Sequence, residues 1–198
     1  MGQRSLILVV ATAACGGPSS PIANPPKAAA ATPERVVADF EAAVAANKDS
    51  FVALFDFAAV GEMEILLHRY DLNGRLAHLD DRQKAQFAGE DGTPYPAARE
   101  RRNVGNFYNI LAQRTVGSGG CVAAAPRTRY GQLLGHKFDP LPETTPRGYE
   151  TLRAHANAWL DHGGVVGIRC NGGEGGLALV YTASGNPRGY DLITIYDD

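Results

Sequence analysis

Five histidines and three cysteines are the side chains of this chain best suited to chemistry near neutral pH. The histidines are His68, His78, His136, His155 and His162, and no two of them are spaced four apart, as a zinc-binding helix face requires. His155 and His162 lie about two helical turns apart and can share a face, with Asp161 beside the second. A zinc site also needs a third and fourth donor, which the sequence does not place, so these read as solvated helix residues and no metal is expected. Gly173-Glu174-Gly175-Gly176-Leu177-Ala178 has the glycine spacing of a dinucleotide-binding loop. That loop must lead into a helix, whereas a strand pattern follows here, so it reads as a hairpin loop. Asp71-Leu72-Asn73-Gly74 begins like a calcium loop, but its glycine comes too early and Arg82 holds the position of the bidentate acid. The chain has no GxSxG elbow, Walker A loop or paired CxxC. No cofactor is called for, and no motif specifies a reaction.

The first cysteine has a different setting. Met1-Gly2-Gln3-Arg4 carries one positive charge, Leu6 to Val10 form an apolar run, and small residues follow to Ala14. Charge, apolar core and small residues are the order of a secretory signal peptide, residues 1–14. The run falls well short of the roughly 20 apolar residues that cross a bilayer as a helix. Thr12-Ala13-Ala14-Cys15 resembles the lipobox of bacterial lipoproteins, with Thr12 where leucine is commoner. The resemblance implies cleavage before Cys15, acylation of its thiol and attachment of the chain to a membrane. Gly16 in place of aspartate after the cysteine favours the outer membrane in that pattern. The alternative is cleavage after Ala11-Thr12-Ala13 and a soluble secreted protein.

Residues 15–32 are Cys15 followed by GGPSSPIANPPKAAAAT, with one charge and one large aliphatic residue. Glycine and serine loosen this stretch while its prolines extend it, which reads as a tether. Residues 33–198 then have the length of a single globular domain. The whole chain has 19 Lys+Arg against 21 Asp+Glu, so no general basic field is available to hold nucleic acid. Arg99, Arg101 and Arg102 read as a solvated helix face. With Cys15 assigned to lipid, Cys121 and Cys170 remain, and an even pair in an exported protein suggests a disulfide, with two buried reduced thiols as the alternative.

The elements that position these residues follow from pattern. Thr32 can cap a helix that Pro33 and Glu34 begin, with Val36, Val37, Phe40 and Val44 on one face until Asn47. Asp49 or Ser50 restarts the pattern with Phe51, Leu54 and Phe55. Further helices are expected over 57–70, 97–116 and from Tyr149 to Leu160, the last closed by Gly163-Gly164. Three short runs, 165–170, 177–183 and 190–196, are rich in β-branched and aromatic residues and separated by glycine-rich turns. They imply an antiparallel meander, which 121–125 could extend by one strand. The expected fold is α+β, with N-terminal helices on one face of a C-terminal antiparallel sheet. Phe40, Val44, Phe51, Leu54, Phe55, Phe107, Leu111, Trp159, Leu179 and Ile193 are the expected core.

PERVVADFEAAVAANKDSFVALF, residues 33–55, resembles the opening two helices of NTF2-like (cystatin-like) domains. In that superfamily a curved sheet wraps the first helix into a cone with an apolar pocket, although residues 57–116 read as helical where it usually has strands. An enzyme of that kind would set an acid or base beside a tyrosine in the pocket, and Asp191, Tyr181 and Tyr190 are the nearest residues for those roles. Cross-strand pairing on a half-exposed sheet is the commoner account of such residues. The preferred expectation is a lipid-anchored envelope protein whose domain binds a protein partner or a small apolar ligand without catalysis. A pocket enzyme doing acid/base chemistry and a structural envelope-assembly protein are the alternatives.

Overall fold

Thr32 begins the fold: its Oγ1 accepts a hydrogen bond from the Arg35 amide at 3.3 Å, and Pro33 opens helix α1 (Pro33–Ala46). Proline suits that position because the first helical amides have no partner within the helix. The structure is a computed structural model and describes residues 31–70, 92–116, 120–125, 138–140, 143, 146–170 and 176–197. The signal segment, Cys15 and the tether up to residue 30 lie outside the described residues, as do 71–91, which include His78 and the Asp71 to Gly74 stretch. His136 and Gly173 to Gly175 also lie outside them.

Asn47 ends α1 and at once caps α2 (Lys48–Val52), its Oδ1 accepting the Ser50 amide at 2.8 Å. The restart expected at Asp49 or Ser50 therefore falls one or two residues earlier, because the side chain that satisfies the free amides belongs to Asn47. Asp56 does the same for α3 (Phe57–Tyr70), accepting the amides of Ala58 and Ala59 at 3.0 and 3.3 Å. Two longer helices follow, α4 (Ala97–Val116) and α5 (Arg147–Asp161).

Strands β1 (Cys121–Ala124), β2 (Gly163–Cys170), β3 (Leu177–Ala183) and β4 (Tyr190–Asp197) pair antiparallel in the order β1-β2-β3-β4. The fold is α+β, with the N-terminal helices packed on a C-terminal antiparallel meander. The helices do not all lie on one face, however. Val166, Ile168, Leu177, Leu179, Tyr181, Tyr190 and Leu192 pack with residues of α1, α2 and α4, whereas Val180 and Ile193 pack with residues of α3 and α5. The physical reason is visible in β3, where every residue from Leu177 to Thr182 is buried. Successive strand residues point to opposite faces, so a strand without exposed positions needs cover on both.

A bulge in β4 adapts the second face to its helix. Val180 pairs with Thr194 and the next residue, Tyr181, with Leu192, which leaves Ile193 unpaired. Two adjacent residues consequently turn toward α3: Ile193 is fully buried there, and the Thr194 hydroxyl reaches Glu64 Oε1 at 3.2 Å. The first face is filled by aromatic rings. Phe51 lies 5.8 Å from Phe40, 5.3 Å from Phe55 and 5.7 Å from Tyr108 between ring centres. Of the ten expected core residues eight are buried, while Phe107 and Trp159 sit at the margins, partly buried.

Phe51 touches three other rings at once, so its truncation leaves a cavity that no single neighbour can fill. Phe51→Ala is expected to lower the unfolding free energy by about 3–5 kcal/mol. Urea unfolding followed by circular dichroism measures it, and a loss below about 1 kcal/mol would show that α2 does not anchor the first core.

Candidate functional site

Tyr181 and Tyr190 do come together. Tyr181 lies on β3 and Tyr190 at the start of β4, with ring centres 6.0 Å apart and an interplanar angle of 74°. The rings have room because Tyr181 faces Gly164 across the β2–β3 ladder, where a Cβ would fall 2.8 Å from the phenol oxygen. Asp191 does not join them. As the next residue along the strand it points to the other face, where its Oδ1 accepts from Arg188 Nη2 at 2.9 Å and Asn186 Nδ2 at 2.6 Å. The same Asn186 nitrogen donates to the Tyr190 carbonyl at 2.8 Å, and Asn186 Oδ1 accepts the amide of Gly189, whose φ of 79° suits glycine. Asp191 thus belongs to the lock of the β3–β4 turn.

The carboxylate that meets the tyrosines comes from α1. Tyr190 is fully buried and donates its O–H to Asp39 Oδ2 at 3.0 Å, and Arg35, one turn before Asp39, lies 3.8 Å from the same oxygen. Burial first, then the hydrogen bond to Asp39 and its charge, hold the Tyr190 phenol far above its ordinary value near 10, against smaller opposing effects of Arg188 and Arg35. Burial, followed by the charge of Glu34, also raises Tyr181. A general acid or base works best with a pKa near the operating pH, and both phenols move away from it. Tyr190 is a neutral donor that fastens α1 to β4. Nothing in the sequence joins Asp39 to a strand 151 residues later, although its four-residue spacing from Arg35 marked a polar stripe on α1.

The other residues with chemical potential lie apart. His155 Nδ1 is 2.7 Å from Glu62 Oε2, which links α5 to α3, while exposed His162 ends α5 and takes the Ala183 amide on its carbonyl. His68 falls within α3. Arg99 stacks 3.6 Å from the centre of the Tyr95 ring and pairs with the buried Glu100 at 3.2 Å. Arg101 and Arg102 are exposed on α4, Arg101 being 5.8 Å from the Phe57 ring centre.

The ladder sets Cys121 directly opposite Cys170. Cys121 donates its amide to Glu41 of α1. Facing Cα atoms of an antiparallel pair lie about 4.5–5.5 Å apart. That spacing lies within the range a disulfide spans.

Because Tyr190 resists ionisation in the folded chain, the unfolded chain loses that proton at lower pH. Stability from this group is therefore fully present below about pH 10 and falls as pH rises beyond it. Tyr190→Phe is expected to cost about 1 kcal/mol at neutral pH and to flatten the alkaline loss. Urea midpoints taken across the alkaline range check both, and an unchanged alkaline slope in the variant would refute the assignment. No family model, no curated protein and no solved structure matches the chain.

Proposed function

We propose that this chain is a lipid-anchored bacterial envelope protein, most readily of the outer membrane, whose α+β domain binds a protein partner or a small apolar ligand without catalysis. One observation carries the reading: Arg4, the Leu6 to Val10 run, Thr12-Ala13-Ala14-Cys15 and a proline-rich spacer follow in order and end at Thr32, where the first helix is capped. Anchor, spacer and folded unit are thus contiguous. The raised phenols of Tyr181 and Tyr190 support a domain that holds and presents surfaces over one that moves protons. Among the described residues no helix is long and apolar enough to cross a membrane, so the lipid would be the means of attachment.

Export also gives the opposed cysteines a role. A Cys121–Cys170 disulfide, formed by exchange with a disulfide-bearing oxidant of the envelope that leaves reduced to its dithiol, would tie edge strand β1 to β2. The direct register supports it.

Two measurements test this reading. Expressed in a bacterial host, the chain is expected to enter the detergent phase and to carry the mass of an acylated N-terminal Cys15, whereas Cys15→Ala stays in the aqueous phase. A mature chain beginning at Ala14 with an unmodified thiol would overturn the anchor. In the Cys15→Ala background, the protein unfolded in denaturant without reductant is expected to take up no alkylating reagent, and two equivalents after reduction. Alkylation without reduction would remove the disulfide and leave the anchor untouched.

A further inference from the structure

The α2–α4 surface carries a concentration of positive charge that no carboxylate among the described residues neutralises. Lys48, at the start of α2, lays its stem across α4 at Gly105, where a Cβ would fall 2.7 Å from the lysine Cε. Its ammonium group consequently stands about one turn from Arg101 and Arg102 on α4. All three residues are exposed. Among the described residues none of the three has a carboxylate within ion-pair distance. The nearby acids are otherwise engaged or set apart: Glu100 is buried against Arg99 and Asn103, Asp56 caps α3, and Asp49 lies in the first turn of α2 beside Lys48.

Like charges this close repel one another, and the contact of Arg101 with the Phe57 ring offsets that cost for Arg101 alone. The outer stripe of α4 continues by four-residue steps from Arg102 through Asn106 to Ile110, which is 47% exposed. Cations followed along one helix face by an exposed aliphatic residue match an interfacial membrane contact, with headgroup phosphates under the charges and acyl chains under the isoleucine.

We infer that Lys48, Arg101 and Arg102 form a docking face for an anionic lipid bilayer, which lays the domain against the membrane. The inference deepens the anchored reading and rests on it for access to the bilayer. Reach is sufficient, since 18 residues from Cys15 to Thr32 could span up to roughly 55 Å at about 3.1 Å per residue. The 14 residues of α1, which separate the tether's end from α2, span only about 21 Å.

The test uses the full mature chain with Cys15→Ala, so that no lipid contributes and failure of the anchor is scored separately by detergent partitioning. It is expected to sediment with vesicles of equal parts phosphatidylcholine and phosphatidylglycerol, and not with phosphatidylcholine alone. Each basic residue near such a surface is worth about fivefold, so K48Q/R101Q/R102Q is expected to weaken binding on the order of a hundredfold. Ile110→Ser should weaken it further, and added salt should reverse it. An unchanged urea midpoint shows that the variants are folded. Equal binding to both vesicles, binding that survives the triple substitution, or no binding by the parent chain would each overturn the proposal. So would capture by a soluble polyanion such as duplex DNA with none by vesicles.

Discussion

Strand β3 buries both of its faces from Leu177 to Thr182, and most of the architecture answers to that burial. A two-faced apolar strand in water requires a layer on each side. The chain supplies α1, α2 and α4 on one side, and α3 and α5 on the other. Neither layer suffices alone, because Leu179 and Val180, neighbours in sequence, belong to different cores. The bulge at Ile193 fits the same requirement by turning two consecutive β4 residues toward α3.

Burial on this scale leaves polar groups to satisfy, and the pairing of Tyr190 with Asp39 shows how that is done. A buried phenol without a partner costs on the order of 1–3 kcal/mol. Asp39 removes that cost and remains partly exposed beside Arg35, so its own charge keeps water and a counterion. The Thr182 hydroxyl, buried on the second face, is satisfied in parallel by the carbonyl of Trp159 at 3.1 Å. Each layer is therefore joined to the sheet by a polar bond as well as by packing. The Tyr190 phenol and the Thr182 hydroxyl are thus committed to holding helices on the sheet.

Much of this was legible in the sequence because it is local. Thr32-Pro33, the helical spacing of Val36, Phe40 and Val44, and the glycine-separated apolar runs of the C-terminus act over a few residues. The unbroken run Leu-Ala-Leu-Val-Tyr at 177–181 also carried the signal for two covered faces, although the order of helices and strands led to one being expected. What escaped was long-range pairing. Asp191 looked like the partner of Tyr190 because it is adjacent, yet adjacency in a strand separates two side chains to opposite faces. Asp39 could be placed there only once the packing of α1 on the sheet was known, and the meeting of Lys48 with α4 likewise needed the helix crossing.

The two edges of the sheet bear on the proposed attachment to a membrane. An exposed edge strand offers unpaired amides and carbonyls to other copies, and attachment to a bilayer would raise the local concentration of those copies. On β4, Leu192 exchanges both backbone hydrogen bonds with the segment between α2 and α3, its amide to the Leu54 carbonyl at 2.9 Å and its carbonyl to the Asp56 amide at 3.0 Å. On β1, the first amide is taken by Glu41 of α1. Both edges are thus engaged by the helical layer that begins at the end of the tether. At Leu192 and Cys121, therefore, edge groups are already bonded within the fold and are not offered to a neighbouring copy.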